Sequence, residues 1–338
     1  MMGRILSKTA KHLLALSTAV LVGFLPASLM AATKVYIPLG SGNTVIEVNG
    51  DTDKVVVDYG FVSNPHGSVA TSDGEYVFAS NLLQNESYTV GGESFNSSTA
   101  LVHPAHGHVM SKLPVQGWSH HLAITPDDKY VVATHPMENI LSVRDVMTLK
   151  IVAKIKTDAG PYYALVSSDG KFAYVSNSTA GTVQIIDTKT WSVVGSIDAG
   201  TTPEHMALSK DDKVLYVVSP NLGMLSEIVL AAPTQRKEYF IGTKLHGLDI
   251  SDNGQKLFIS SNGDEKLVSF DVATKALKSL SLSPKPYHLN TITGTGKVYV
   301  SSRSDPIIWV VDQDSLELIT TIDLPSGEGH QMSVVIEK

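Results

Sequence analysis

The 338-residue chain contains no cysteine. That absence excludes disulfides, thiolate metal sites, iron–sulfur clusters and a covalently attached c-type haem, which needs a Cys-x-x-Cys-His run. Any metal must therefore be held by His, Met, Asp, Glu, Tyr or backbone oxygen. No Gly-x-Ser-x-Gly elbow, phosphate-cradling glycine loop or His-Glu-x-x-His helix occurs. Helical periodicity is nearly missing beyond the N-terminal segment. Positive charge is also scarce, with 26 Lys+Arg against 33 Asp+Glu and a net charge of −7. Such a balance is poor for nucleic acid, whose phosphates want a basic face. It suits a basic protein partner or the attraction of cations.

Long hydrophobic runs are missing apart from Leu13 to Leu25. Arg4, Lys8 and Lys11 precede that run, and small residues follow it up to Ala31 and Ala32. This is the layout of an export signal, and the run is short for a membrane span. The expectation is that residues 1–31 are removed. Residues 32–338 then form one domain, in a bacterial periplasm or secreted, with no membrane span. Loss of three basic residues takes the net charge from −7 to about −10.

What the chain has is a repeat. Seven phrases recur at roughly 42-residue spacing: NPHGSVATSDGEYVFAS, SHHLAITPDDKYVVATH, PYYALVSSDGKFAYVSN, PEHMALSKDDKVLYVVS, KLHGLDISDNGQKLFIS, PYHLNTITGTGKVYVSS and GHQMSVVIEK. The clearest unit, Ala173 to Pro220, reads as four short strands separated by turns at STAG, TKT, GTTP and KDD. The SDG, PDD and KDD acids read as turn residues. Short strands repeating at this period predict a ring of β-sheets. The predicted fold is all-β, a seven-bladed propeller of four-stranded antiparallel blades. Its last blade is closed by both chain ends: three N-terminal strands (KVYIPL, NTVIEV, KVVVDYG) join the strand after His330. A longer loop around Asn81 to Asn96 explains the one wide spacing, 54 residues from His66 to His120.

The phrase P-E-H-M-A-L-S-K-D-D-K-V-L-Y-V-V-S and the run GTVQIIDT resemble the YVTN family of β-propeller repeats. The resemblance covers essentially the whole chain after the leader and implies the fold. It implies little about function, because such rings host lactonases, dehydrogenase subunits, copper enzymes and binding scaffolds.

Six of the seven phrases open on histidine: His66, His120 with His121, His205, His246, His288 and His330, while the third opens on Tyr162 and Tyr163. Each begins an inner strand, so all are expected on one face near the axis. His135, ending a second strand, is expected on that face too. Neutral imidazole is the commonest metal ligand, so a metal site at the channel mouth is the sharp expectation. Met206, Met137 and Met332 would add thioether sulfur, favouring copper. Glu204, Tyr162 and Tyr163 would orient the rings from outside the ligand set. Which of His120 and His121 faces the channel stays open. The alternative is a set of structural histidines lining a wet channel. A separate HPAHGH run, His103, His106 and His108, is expected in a rim loop on the opposite face as a weak secondary metal site.

A histidine-ringed mouth is similar to that of nitrous oxide reductase and copper-containing thiocyanate dehydrogenases, and the His120-His121 pair strengthens the likeness. This chain lacks the reductase's cysteine-bearing electron-transfer domain. Propellers carrying d1-type haem similarly place an axial histidine there. The readings are a metal-binding propeller with an accessory or transfer role, copper first and zinc behind it; a copper-dependent periplasmic oxidoreductase; or a scaffold binding a protein or an organic ligand such as a tetrapyrrole. The first two imply a protein partner for metal or electron transfer. Whether the chain is an enzyme stays open.

Overall fold

The computed structural model describes residues 32–337. The expected export signal, residues 1–31, lies outside the described residues, and no helix among the described residues is long and apolar enough to cross a membrane. The repeat folds into seven four-stranded antiparallel sheets arranged as a ring. Each of the first six phrases supplies the innermost strand of one sheet and the strand beside it, for example Met206–Leu208 and Val214–Ser219. The long first full blade carries an extra hairpin, Tyr88–Val90 with Glu93–Phe95.

The last blade is shared between the chain ends, as the repeat count predicts. Its inner strand is Ser333–Ile336, paired with Thr33–Leu39, and Thr44–Asn49 and Lys54–Asp58 follow outward. Pairing Val35 with Val334 and Tyr36 with Ser333 leaves no free inner edge at the join.

Hydrophobic packing lies between blades rather than around one centre. Strand alternation explains this: Val35, Ile37 and Leu39 pack toward the preceding blade with Ile292, Tyr299 and Ile308. The intervening Tyr36 packs toward the following one with Val77 and Val102. Seven such clusters fill the interfaces between neighbouring blades. The outermost strands are mostly exposed, and in Lys54–Asp58 alternate residues are half-buried.

The acidic turns serve structure, as read from the sequence, and also join blades. Asp127 accepts from Thr125 and Lys129 within its own turn. Asp128 accepts from the Ser72 amide and hydroxyl of the neighbouring blade at 3.0 and 2.6 Å. Asp212 does the same for Ser168, two blades further round the ring. Since the core is interfacial, Ile37→Ala, at a fully buried site, should lower unfolding free energy by about 2–5 kcal/mol. Val56→Ala on the exposed outer strand should change it by less than about 0.5 kcal/mol. Chemical denaturation of the two variants checks this, and equal losses would contradict an interfacial core.

Candidate metal centre

Seven imidazoles meet at the axis: His66, His120, His121, His205, His246, His288 and His330. Each is at most 8% exposed, with His246 the most exposed. Ring centroids of successive neighbours lie 4.2 Å apart for His330–His66, 4.3 Å for His66–His120, 4.9 Å for His121–His205 and 4.3 Å for His205–His246. His288 is the hub. Its ring touches those of His66, His121, His205, His246 and His330.

The local backbone explains how so many side chains reach one point. In three blades the inner strand is bulged at the site, between Pro161 and Ala164, between Leu245 and Leu248, and between Pro286 and Leu289. A bulge breaks the in–out alternation and re-aims side chains. Tyr162 with Tyr163, and Tyr287 with His288, thereby both contact the imidazole layer. His120 and His121 precede their strand, which starts at Leu122, and both join the cluster. Their register question therefore has no single answer. Gly67 and Gly247 follow His66 and His246 because a Cβ there would meet the neighbouring blade's backbone at 2.9 Å (His120 carbonyl) and 2.8 Å (Leu289 amide).

Burial sets the charge state. Desolvation first, and mutual repulsion second, push His66, His121, His246 and His288 well below the usual imidazole value. His120 and His205 fall to about 3, again chiefly through burial. The cluster is therefore neutral near neutrality, the form that binds metals.

Several ring nitrogens are buried without any hydrogen-bond partner: both of His66, both of His205, Nε2 of His121 and Nδ1 of His330. An orphaned buried polar atom costs about 1–3 kcal/mol. His121 shows the pattern most plainly. Its Nδ1 donates to the Tyr162 carbonyl at 2.9 Å, and that acceptor-only partner leaves the lone pair on the free Nε2. Two triads, His66–His121–His288 and His205–His246–His288, bring ligand nitrogens within 4.8 Å of one another. Each could hold a metal ion, and they share His288. His246 Nε2 and His288 Nε2 are 3.1 Å apart.

Other expected residues sort differently. His135 is buried one strand outside the axis, where its Nε2 pairs with the Ser142 hydroxyl at 2.8 Å. It is outside both triads. Met206 and Met332 pack in the hydrophobic clusters between blades, not against the histidines. Met206 opens its strand one residue after His205, so alternation turns it away, whereas Met332 lies two residues after His330, ahead of the strand that starts at Ser333. Met137 is exposed. The expected thioether donors are thus corrected to an all-imidazole set. Tyr162 orients His120 and His121 through its carbonyl rather than its phenol. Tyr163 packs its ring against His121 and His205. The Glu204 carboxyl meets the Tyr162 hydroxyl, and burial raises it to about 7. In the rim turn Pro104–His106, His103 and His106 stack at 4.1 Å with His108 6.0 Å beyond His106. The sets of three ligand atoms found among the described residues lie at the axis instead.

Three contributors were not singled out from the sequence. Glu328 accepts from His330 Nε2 at 3.2 Å and is held down to about 2, first by that bond. Tyr287 stacks on His246 at 4.0 Å and 12°. Gln331 bonds both the amide and carbonyl of Leu122. The only sequence signal for Glu328 was its spacing two residues before a ring histidine.

The metal-free protein should lose stability in acid. The folded-state values lie below the usual 6.5 of an unfolded histidine, so stability is complete above about 6.5. It falls as pH drops through that value toward the folded values, about 3 for His120 and His205, because only the unfolded chain takes up protons. His205→Gln should shallow the fall by about one proton. Urea titrations across pH 4–8, a window set by that linkage, test it; a flat profile would refute neutral burial.

Proposed function

We infer the function from the axial site, because comparison with solved structures shows the fold alone. One part of the hydrazine synthase of Kuenenia stuttgartiensis matches at 18% identity with a TM-score of 0.66, covering 77% of this chain and 86% of that one. A protein of Bacteroides fragilis assigned as a 6-phosphogluconolactonase matches at 13% identity and a TM-score of 0.72, covering 92% and 99%. One of Bacteroides uniformis, similarly assigned, gives 14% and 0.74, covering 90% and 100%. No protein-family model matches, and no curated protein matches. At these identities a shared propeller carries no activity across.

We propose that this chain is exported and holds copper at its axial histidines, as a resident centre working with a separate protein partner. The observation that supports the reading is the set of buried, neutral imidazoles whose nitrogens lack partners beside two triads sharing His288. Imidazole-only sets suit copper, zinc, iron and nickel, and copper(II) stands highest in the affinity order for such donors. Copper bound there would supply one-electron redox chemistry. The protein's own part is visible: the Tyr162 carbonyl fixes the proton on His121 Nδ1, and Glu328 orients His330.

Burial favours one of the two metal readings. A transfer protein needs a site from which the ion exchanges freely, whereas these rings are interlocked and buried, with only His246 bordering a cleft. A resident centre of an oxidoreductase therefore stands ahead of a metal-transfer role. A tetrapyrrole does not suit the cluster, because rings 4.2–5.2 Å apart leave no slot for a planar macrocycle.

Elemental analysis of protein purified from its native compartment should find copper. His288→Ala should lower copper per chain at least twofold, because both triads lose a ligand. His135→Ala and His106→Ala should leave it unchanged. Retained copper in His288→Ala, or no metal in the unaltered protein, would sink the proposal. Slow loss to an external chelator, over hours, would support a resident centre; loss within seconds would support transfer.

A further inference from the structure

The imidazole layer is reached from one side through a cleft of ≈ 330 Å³. Its lining includes Glu204, Lys244, His246, Asn262, Tyr287 and Arg303. His246 belongs to one triad and is the most exposed of the seven rings. The cleft therefore ends on a candidate metal ligand.

Charge tells what the cleft admits. Arg303 lies over the Tyr287 ring, 5.0 Å from its centroid, and Tyr287 in turn stacks on His246 at 4.0 Å. This stack ties the guanidinium's position to the imidazole. Lys244 is exposed beside it on the cleft wall, in a left-handed turn with φ of 49°. Arg303 and Lys244 belong to none of the ion pairs formed among the described residues. The one carboxyl in the lining, Glu204, is engaged by the Tyr162 hydroxyl. Two unpaired cations against one engaged carboxyl give the cleft a positive lining, on a chain whose overall charge is negative. A concave site with unpaired cations beside a low-dielectric wall concentrates anions.

We propose that this cleft is a binding site for a small anion, held by Arg303 and Lys244 over His246. It rests on the metal reading in one respect, that the anion is placed to reach the copper; the anion site itself does not require the metal. Arg303 presents planar donors that suit the paired oxygens of a carboxylate or an inorganic oxyanion. Lys244 adds a point charge at the outer wall. Both are binding residues for the anion and touch no imidazole nitrogen in the described contacts.

Two measurements test it on the full exported chain. Crystals of the metal-free and the copper-loaded protein, soaked in bromide, should show an anomalous peak between Arg303 and Lys244. The Arg303→Gln, Lys244→Gln double variant should lose that peak. In solution, azide added to copper-loaded protein is followed by its azide-to-copper absorption. The double variant should bind azide at least tenfold more weakly, with copper per chain unchanged and carbon monoxide binding to the reduced protein unaltered. No bromide in the cleft in either metal state, or equal azide affinity in the variant, would overturn the anion site. Failure of the unaltered protein to take up copper would overturn the metal reading alone, since bromide still reports on the cleft.

Discussion

Ring closure is the constraint on which the rest depends. Each blade buries both faces, one against the blade before it and one against the blade after it. No blade is complete until the seventh interface forms. The pairing of Thr33–Leu39 with Ser333–Ile336 supplies that interface by joining residues at the two ends of the described chain. With no cysteine available, this hydrogen-bonded clasp does the work that a cross-link would do elsewhere. Closure also has a geometric consequence. Every inner strand must begin near one axis, so whatever residue type opens the repeat is multiplied there.

Multiplying histidine at an axis carries an energetic penalty that most residues would avoid. Histidines buried in contact with one another are uncharged, and several nitrogens remain without partners. A core of leucine at those positions would be more stable by ordinary packing arguments. The surrounding structure instead spends polar groups on orienting the rings: the Tyr162 carbonyl for His120 and His121, Glu328 for His330, and Ser142 for the outlying His135. Only some ring nitrogens are left without partners, and those of His66, His121 and His205 belong to the two triads that share His288. Selective satisfaction of this kind is what a ligand cage needs and what a merely structural layer does not.

The fold was almost wholly legible because it is written in repetition. Strand length, turn chemistry and blade count each recur, and the split blade follows from counting an unpaired inner strand against three unpaired N-terminal ones. The histidine ring was legible for the same reason. What escaped was whatever depends on departures from the repeat. Alternation alone would let one of His120 and His121 face the axis, yet a late strand start admits both. The same alternation explains Met206, one residue after His205, which packs between blades; Met332, two residues after His330, also packs between blades, from the irregular stretch before its strand. His135 shares the expected face yet belongs to a second strand, and one strand spacing, about 4.8 Å, is enough to remove it from the cluster. Arg303 carried no motif at all; it matters only because the bulge at Tyr287 brings that ring beneath it.

The third phrase, which opens on tyrosine, looks in sequence like a gap in the circle. In three dimensions it completes the circle. The bulge at Pro161–Ala164 brings the Tyr162 carbonyl within 2.9 and 3.3 Å of the Nδ1 atoms of His121 and His120. It also places the Tyr163 ring between His121 and His205. A histidine there would add an eighth imidazole to a layer whose seven rings already touch, and further mutual repulsion on any protonation. A blade that gives a backbone acceptor and a filling ring instead lets its neighbour contribute two histidines. The count of seven is kept, and the position of each proton on that pair is fixed by a group that cannot itself titrate.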